Sequence, residues 1–326
     1  MKYQSKDLRQ FPEQIRYSIE NYKSPGFNLG QYDNIILCGL GGSGIAGRII
    51  KSYFFDKSPI PIEVVSDYVL PAFTGKKTLA IMCSYSGNTE ETLAMYDAAK
   101  AKGASIIVIS TGGKIAEHAH ADGFTFYKAQ AGFQPRMALG YSLTYLLLLF
   151  SEFSGIQNAP GELSAAAVQL DDEQKYMDKA LSLFHSFEDT LPAKIVVITD
   201  FFSNPVGLRF CQQIQENAKA EAFLHELPES NHNVIETYYG KMDSIFLLMN
   251  SKAHPRTDLR FKFLKDLLME SENMVVEFGP EDRDMLSLLE CIYTLDWVSL
   301  LIADHKGVNS TQIKNINALK EYLSAN

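Results

Sequence analysis

The chain has 326 residues, of which 46% are hydrophobic and 21% charged. That length suggests two domains or one large one, with ample material for a core. A formal net charge of −9 argues against nucleic acid or an anionic membrane as the main partner, while a local cationic site for a phosphate is compatible with it.

The first six residues carry no apolar signal-peptide core. Residues 34–38 read as a buried strand, 39–44 as a glycine-rich turn and 45–55 as a helix. A strand at 61–65 follows. The apolar run 78–83 is another strand, and it ends in Ser84-Tyr85-Ser86-Gly87-Asn88-Thr89, which leads into a helix over 89–101. Residues 104–109 form a further strand ending at Ser110-Thr111-Gly112-Gly113. Strands without alternation, separated by helices, indicate a parallel sheet covered on both faces. Ligands of such sheets bind outside the carboxyl ends of the strands. All three Gly/Ser/Thr loops follow strands and so lie on that edge.

Residues 136–153 read as a long apolar helix, 155–160 as a turn, and 163–186 as a second long helix bridging two halves. The alternation then restarts. It runs through a strand at 194–198, a helix at 204–219, strands at 244–249 and 274–278 with a helix at 258–270 between them, and terminal helices at 285–305 and 311–324. The halves look like diverged copies of one architecture. The longest apolar stretch, 143–150, is too short to span a bilayer. Cys38, Cys83, Cys211 and Cys291 form no C-x-x-C pair and read as small apolar core residues in a reducing compartment. A cytoplasmic protein with no membrane partner is expected.

The segment from Ser84 to Thr89 can offer backbone N–H groups, hydroxyls and a positive helix end to one anion. The same residues also suit a helix cap and its lead-in turn. Without a long basic patch, a small phosphate ester fits better than a polymer. Gly39, Gly41 and Gly44 stand at the G-x-G-x-x-G spacing of a dinucleotide fingerprint, with Asp67 a little beyond the second strand. That reading accounts for neither the Ser84 loop nor the later motifs. His118 and His120 lack a Cys or carboxylate set at ligand spacing, so they read as surface residues and no metal is expected.

Several motifs occur together: Gly39-Leu40-Gly41-Gly42-Ser43-Gly44, Ser84 to Leu93, Ser110 to Gly113, and Gln134-Pro135-Arg136. This combination resembles the sugar isomerase (SIS) domain family, and more narrowly its bifunctional phosphoglucose/phosphomannose isomerases. The resemblance continues through Glu216-Asn217-Ala218-Lys219, the segment from Glu226 to Asn233, and Gly307 to Thr311 with Leu319-Lys320. It spans nearly the whole chain. It implies an α/β protein of two SIS-type subdomains, each a mainly parallel sheet flanked by helices in three αβα layers. Residues 1–155 would carry the phosphate loops, and 156–326 the catalytic glutamate and the C-terminal helices.

The resemblance also implies roles. Gly42, Ser43, Ser84, Ser86 and Thr89 would hold the phosphate, since hydroxyls and a helix N-terminus can bind a dianion without a lysine cluster. Glu216 would move a proton between C1 and C2 of a phosphorylated hexose. Arg136 would stabilise the enediolate, its guanidinium remaining protonated throughout. His232, supplied by the partner subunit of a homodimer, would open the ring together with Lys320. Thr311 would lie near the C2 and C3 hydroxyls and leave the intermediate room to take a proton on either face. The implied reaction interconverts glucose 6-phosphate and mannose 6-phosphate with fructose 6-phosphate through a cis-enediol, without metal or cofactor. Two positions depart from the family pattern. Arg48 stands where an acidic residue is frequent, and Val234 where a glutamate is common; both bear on substrate choice. The rival readings are a SIS deaminase or deglycase for amino-sugar phosphates, a non-enzymatic sugar-phosphate sensor, and a nucleotide-dependent oxidoreductase resting on the first glycine loop alone.

Overall fold

The computed structural model describes residues 5–325. Helices α1 (Ser5–Leu8) and α2 (Phe11–Asn21) precede the first sheet. That sheet alternates β1 (Asn34–Cys38), α3 (Gly41–Tyr53), β2 (Ile62–Val65), β3 (Thr78–Cys83), α4 (Glu90–Ala101), β4 (Ser105–Ser110), α5 (Gly113–Asp122) and β5 (Thr125–Lys128). Its strands are all parallel, in the order β2-β1-β3-β4-β5. Helices α6 (Leu139–Phe153), α7 (Ala159–Leu170) and α8 (Glu173–His185) lead to the second sheet. There β6 (Lys194–Thr199), α9 (Asn204–Gln213), β7 (Ala222–Glu226), β8 (Ser244–Met249), α10 (Pro255–Glu270) and β9 (Met274–Glu277) follow in turn. This sheet is also parallel, in the order β7-β6-β8-β9. The chain closes with α11 (Met285–His305) and α12 (Lys314–Ala325).

The continuous apolar strands are sorted by their two-residue period. Ile35 and Leu37 face one core, and Ile36 and Cys38 face another, under α4 and α5. In the second sheet Ile195 and Val197 join the first of these cores, while Val196 and Ile198 meet α10 in a third. The inner faces of both sheets thus share one apolar core, filled by α2, α3, α6, α7, α8, α9 and α11. Ile36 is fully buried, so trimming it to alanine costs about 2–5 kcal/mol. All four cysteines are buried and unpaired. Burial pushes the thiols of Cys83 and Cys211 up to about 12, which keeps them inert.

Several elements differ from the sequence reading. Strands β5 and β7 are short edge strands with mixed exposure, without the solid apolar run that marks β3. The helix expected over 163–186 is two helices, because the Asp172 carboxylate accepts from Lys175 N at 3.2 Å and caps a new start. The glycine run forms the first turn of α3, which begins at Gly41 and not at 45. Helix α11 is long and apolar enough to cross a bilayer, longer than the 143–150 stretch, but it is buried in the shared core.

In the first sheet the strand order reverses between β1 and β3, so a crevice opens where the Gly39 and Ser84 loops begin. The matching point of the second sheet lies between β6 and β8. There the buried Asp200 carboxylate accepts from Ser203 N and Oγ (2.9 and 2.8 Å) and from Ser251 N and Oγ (2.8 and 2.7 Å). These bonds tie the segments that follow β6 and β8 to each other at that point.

Candidate active site

The β3–α4 loop turns tightly against the β4–α5 loop. Gly87 has φ +70°, and a Cβ there would lie 1.8 Å from Gly112 O. Only glycine lets the loops approach this closely. The buried Ser84 hydroxyl accepts from Gly87 N at 3.2 Å and lies 3.0 Å from Thr89 Oγ1. It braces the loop from beneath and does not reach the cavity wall, unlike the phosphate role expected for it. Ser43 Oγ accepts from Tyr85 N at 3.3 Å and ties the two loops together. Ser43 is not a helix cap, because Leu40 holds that position without a side-chain bond. Thr89 precedes α4, and its side chain makes no cap either. The first N–H groups of α4 are therefore left for a ligand or water.

These loops form one wall of a cavity of about 670 Å³. Gly42, Ser43, Ser86 and Thr89 line it, together with Arg136, Glu216 and Lys320. Tyr85 and Asn88 also line it, although the sequence reading gave them no role. Glu90 and Glu91, in the first turn of α4, complete the rim. Ile316, Leu319 and Leu323 of α12 face the cavity yet remain 39%, 57% and 48% exposed.

Arg136 lies in a one-turn 3-10 segment, Pro135–Met137, ahead of α6. It is 4% exposed, buried where a solvated helix start was the simple alternative. Gly42 permits this position, because a Cβ there would meet Pro135 O at 3.0 Å and Arg136 Cα at 3.4 Å. The guanidinium donates from Nε to Asn217 Oδ1 (2.8 Å), from Nη1 to Glu216 Oε2 (3.2 Å), and from Nη2 to Ser310 O (2.6 Å). Burial pushes its pKa down from the usual arginine value, and the Glu216 charge opposes that shift. An arginine nonetheless stays protonated.

Glu216 does not continue an α-helix to 219, as the sequence suggested. Helix α9 stops at Gln213, and residues 214–218 form one π-turn, a feature frequent at functional sites. The turn leaves Glu216 at the cavity and Asn217 buried against α11. The Glu216 side chain is 32% exposed, so the cavity can reach it. Lys219 closes the turn with φ +51° and donates to Glu216 O. Burial, then the neighbouring Arg136 charge, lowers the Lys219 pKa.

Besides Ser84, two expected residues stay outside the cavity. His232 is exposed in a 3-10 turn, Glu229–His232. Thr311 spends its hydroxyl on Asn309 Oδ1 at 2.7 Å, while the preceding Ser310 carbonyl holds Arg136. Asn217 and Ser310 were not singled out by sequence. The Glu-Asn-Ala-Lys motif contained Asn217, but nothing local revealed its partner 81 residues away. Of the departures, Arg48 is exposed on α3 and Val234 packs against the α10 core.

A phosphate-sized helix end, an arginine and a carboxylate thus share one crevice of a doubled parallel α/β scaffold. This scaffold is that of SIS proteins: the SIS domain model matches residues 29–151, and that of the bacterial phospho-glucose isomerase C-terminal SIS domain matches 177–323. The chain is 36% identical to a bifunctional phosphoglucose/phosphomannose isomerase of Caldicellulosiruptor bescii, covering 96% of each chain. It is 31% identical to the corresponding protein of Aquifex aeolicus, over 91% of this chain and 92% of that one. The chain belongs to the family of bifunctional phosphoglucose/phosphomannose isomerases. Among solved structures, the glucosamine-6-phosphate deaminase of Thermotoga maritima shares the fold at 16% identity, with a TM-score of 0.73 over 94% of this chain and 96% of that one.

Proposed function

We propose that the protein interconverts glucose 6-phosphate and mannose 6-phosphate with fructose 6-phosphate by proton transfer through a cis-enediol. The observation that carries the reading is the Arg136–Glu216 contact at 3.2 Å on the wall of the cavity that also holds the α4 N-terminus. The phosphate sits at that helix end, among the hydroxyls of Ser43, Ser86 and Thr89. The open-chain aldose then places C2 against Glu216. The carboxylate removes the C2 proton, and the electron pair moves through a C1–C2 double bond onto O1. Arg136 stabilises that oxyanion. Glu216 returns the proton to C1 as the O2 proton passes to O1, which leaves the ketose. Arg136 supplies the positive charge that a metal would otherwise bring, so the route is metal-independent.

His232 and Lys320 assist ring opening, with His232 reaching the site from the partner of a homodimer. Its exposure outside its own cavity supports a contribution in trans. Arg260 of α10 holds the neighbouring Asn231 at 3.1 Å, and the same helix carries Leu259 and Phe263 exposed one turn apart. That apolar face beside the His232 turn supports a protein contact there. The separate spans of the two family models, 29–151 and 177–323, support a division into two units, taken as 1–155 and 156–326. A cytoplasmic site of action agrees with four unpaired buried cysteines.

One coupled assay with glucose, mannose and glucosamine 6-phosphates tests the reading. Fructose 6-phosphate formed from the first two, and unchanged by a chelator, is expected. Ammonia release from the third alone would replace this reading by that of a deaminase.

A further inference from the structure

Arg136 is held mainly by neutral acceptors. Of its three engaged N–H groups, one meets the Glu216 carboxylate and the others meet an amide oxygen and a backbone carbonyl. The amide belongs to Asn217, which is fully buried. Its orientation follows from the inventory of donors and acceptors. Ser299 Oγ donates its single proton to Asp296 O at 2.7 Å, so toward Asn217 it can only accept. Asn217 therefore turns Nδ2 to Ser299 Oγ (2.9 Å) and must turn Oδ1 to Arg136 Nε, which can only donate. Carboxylates do stand nearby, but Asp296 is spent elsewhere. It takes Arg209 Nε and Nη2 at 3.0 and 2.5 Å and Gln213 Nε2 at 3.0 Å. Arg209 in turn donates to Arg136 O at 2.9 Å.

We infer that Asn217, oriented by Ser299, is a positioning residue that holds Arg136 by a neutral acceptor, so that the guanidinium keeps its charge for the enediolate. The inference rests on the proposed isomerisation. A carboxylate at Nε would neutralise the guanidinium before any substrate charge develops. A neutral amide fixes the same geometry without doing so. Because Asn217 adjoins Glu216 in the π-turn, the same anchor sets the distance between base and cation.

Asn217→Asp keeps the size of the side chain and replaces the neutral amide by a carboxylate. The expected result is a kcat lowered about tenfold to a hundredfold, within the range for weakening one oxyanion stabiliser. KM for fructose 6-phosphate should stay within about twofold, because the phosphate loops are untouched. Two inhibitors separate charge from packing. A five-carbon aldonate 5-phosphate, whose carboxylate stands in for the enediolate, should bind N217D more weakly. A hexitol 6-phosphate, neutral at C1 and C2, should bind it as it binds the parent. Ser299→Ala frees the amide to turn and should lower kcat in the same direction by less, which keeps the idea testable if N217D folds poorly. Equal kcat in N217D and the parent, or equal weakening of both inhibitors, overturns the inference and leaves the isomerase reading standing. A parent chain inert toward every hexose 6-phosphate removes both.

Discussion

Arg136 and Glu216 stand 80 residues apart in the chain and meet at 3.2 Å between Nη1 and Oε2. One comes from the turn before α6, beneath the first sheet's crevice, and the other from the π-turn after α9. Arg136 is fixed by contacts on all three of its nitrogens, whereas the Glu216 side chain is partly open to the cavity. A fixed cation beside a reachable carboxylate suits a reaction in which the carboxylate moves a proton and the cation meets the resulting charge.

Glu216→Gln removes the base and keeps its shape. Turnover should fall at least about a hundredfold, the lower end for general acid–base catalysis. Binding of a phosphate ester, read by calorimetry, should persist. Near-normal turnover would sink the role assigned to Glu216.

Gly42→Ala tests how closely α3 must approach Arg136. The added Cβ would meet Pro135 O at 3.0 Å, a backbone atom that must shift. Overpacking of this kind costs about 1–3 kcal/mol. A shift of Arg136 by a few tenths of an ångström should lower kcat a few-fold to about tenfold, since a 1 Å misplacement can cost about a hundredfold. Steady-state kinetics alongside a melting curve checks both, and an alanine variant with parental kcat would show that this approach is dispensable.

A subunit-mixing experiment addresses His232. The Glu216→Gln and His232→Ala homodimers should each be nearly inactive. If His232 acts across the interface, each mixed dimer holds one intact site. Random reassortment should then restore about a quarter of parental activity. No recovery after confirmed exchange would place His232 in its own subunit's reaction or outside it.

Asp296→Asn leaves Arg209 charged and buried without its bidentate partner. Removing one member of such a pair costs about 3–5 kcal/mol. Chemical denaturation should show that loss. Replacing both members by apolar residues of similar volume should recover much of it, although Arg136 O then loses the Arg209 donor.

Much of the fold was legible. The runs at 34–38, 78–83, 194–198 and 244–249 are solid apolar strands because both sheet faces are covered, and the structure buries nearly all of them. β5 and β7 escaped because an edge strand with one open side needs no such run. Residues 163–186 read as one long helix, yet the Asp172 carboxylate starts a second one. In the site, the loops around Ser43, Ser86 and Thr89 were legible from hydroxyl residues placed between strand and helix. Ser84 belongs to the same motif, but its hydroxyl is turned inward to hold Gly87 N.

Local pattern by itself determined the strands with solid apolar runs, that they run parallel, and that the glycine and serine loops share one sheet edge. Residue periodicity and turn chemistry act over a few neighbours, and those neighbours are written consecutively. Only the tertiary structure decided that the buried Asp200 is satisfied by Ser251, a residue 51 positions away. It also decided that Arg136 is buried and held by Asn217, Glu216 and Ser310. Those contacts come from helix packing over separations of 80 to 174 residues. No short-range regularity encodes such distances, so the burial and partners of the arginine became visible only once the two sheets shared a core.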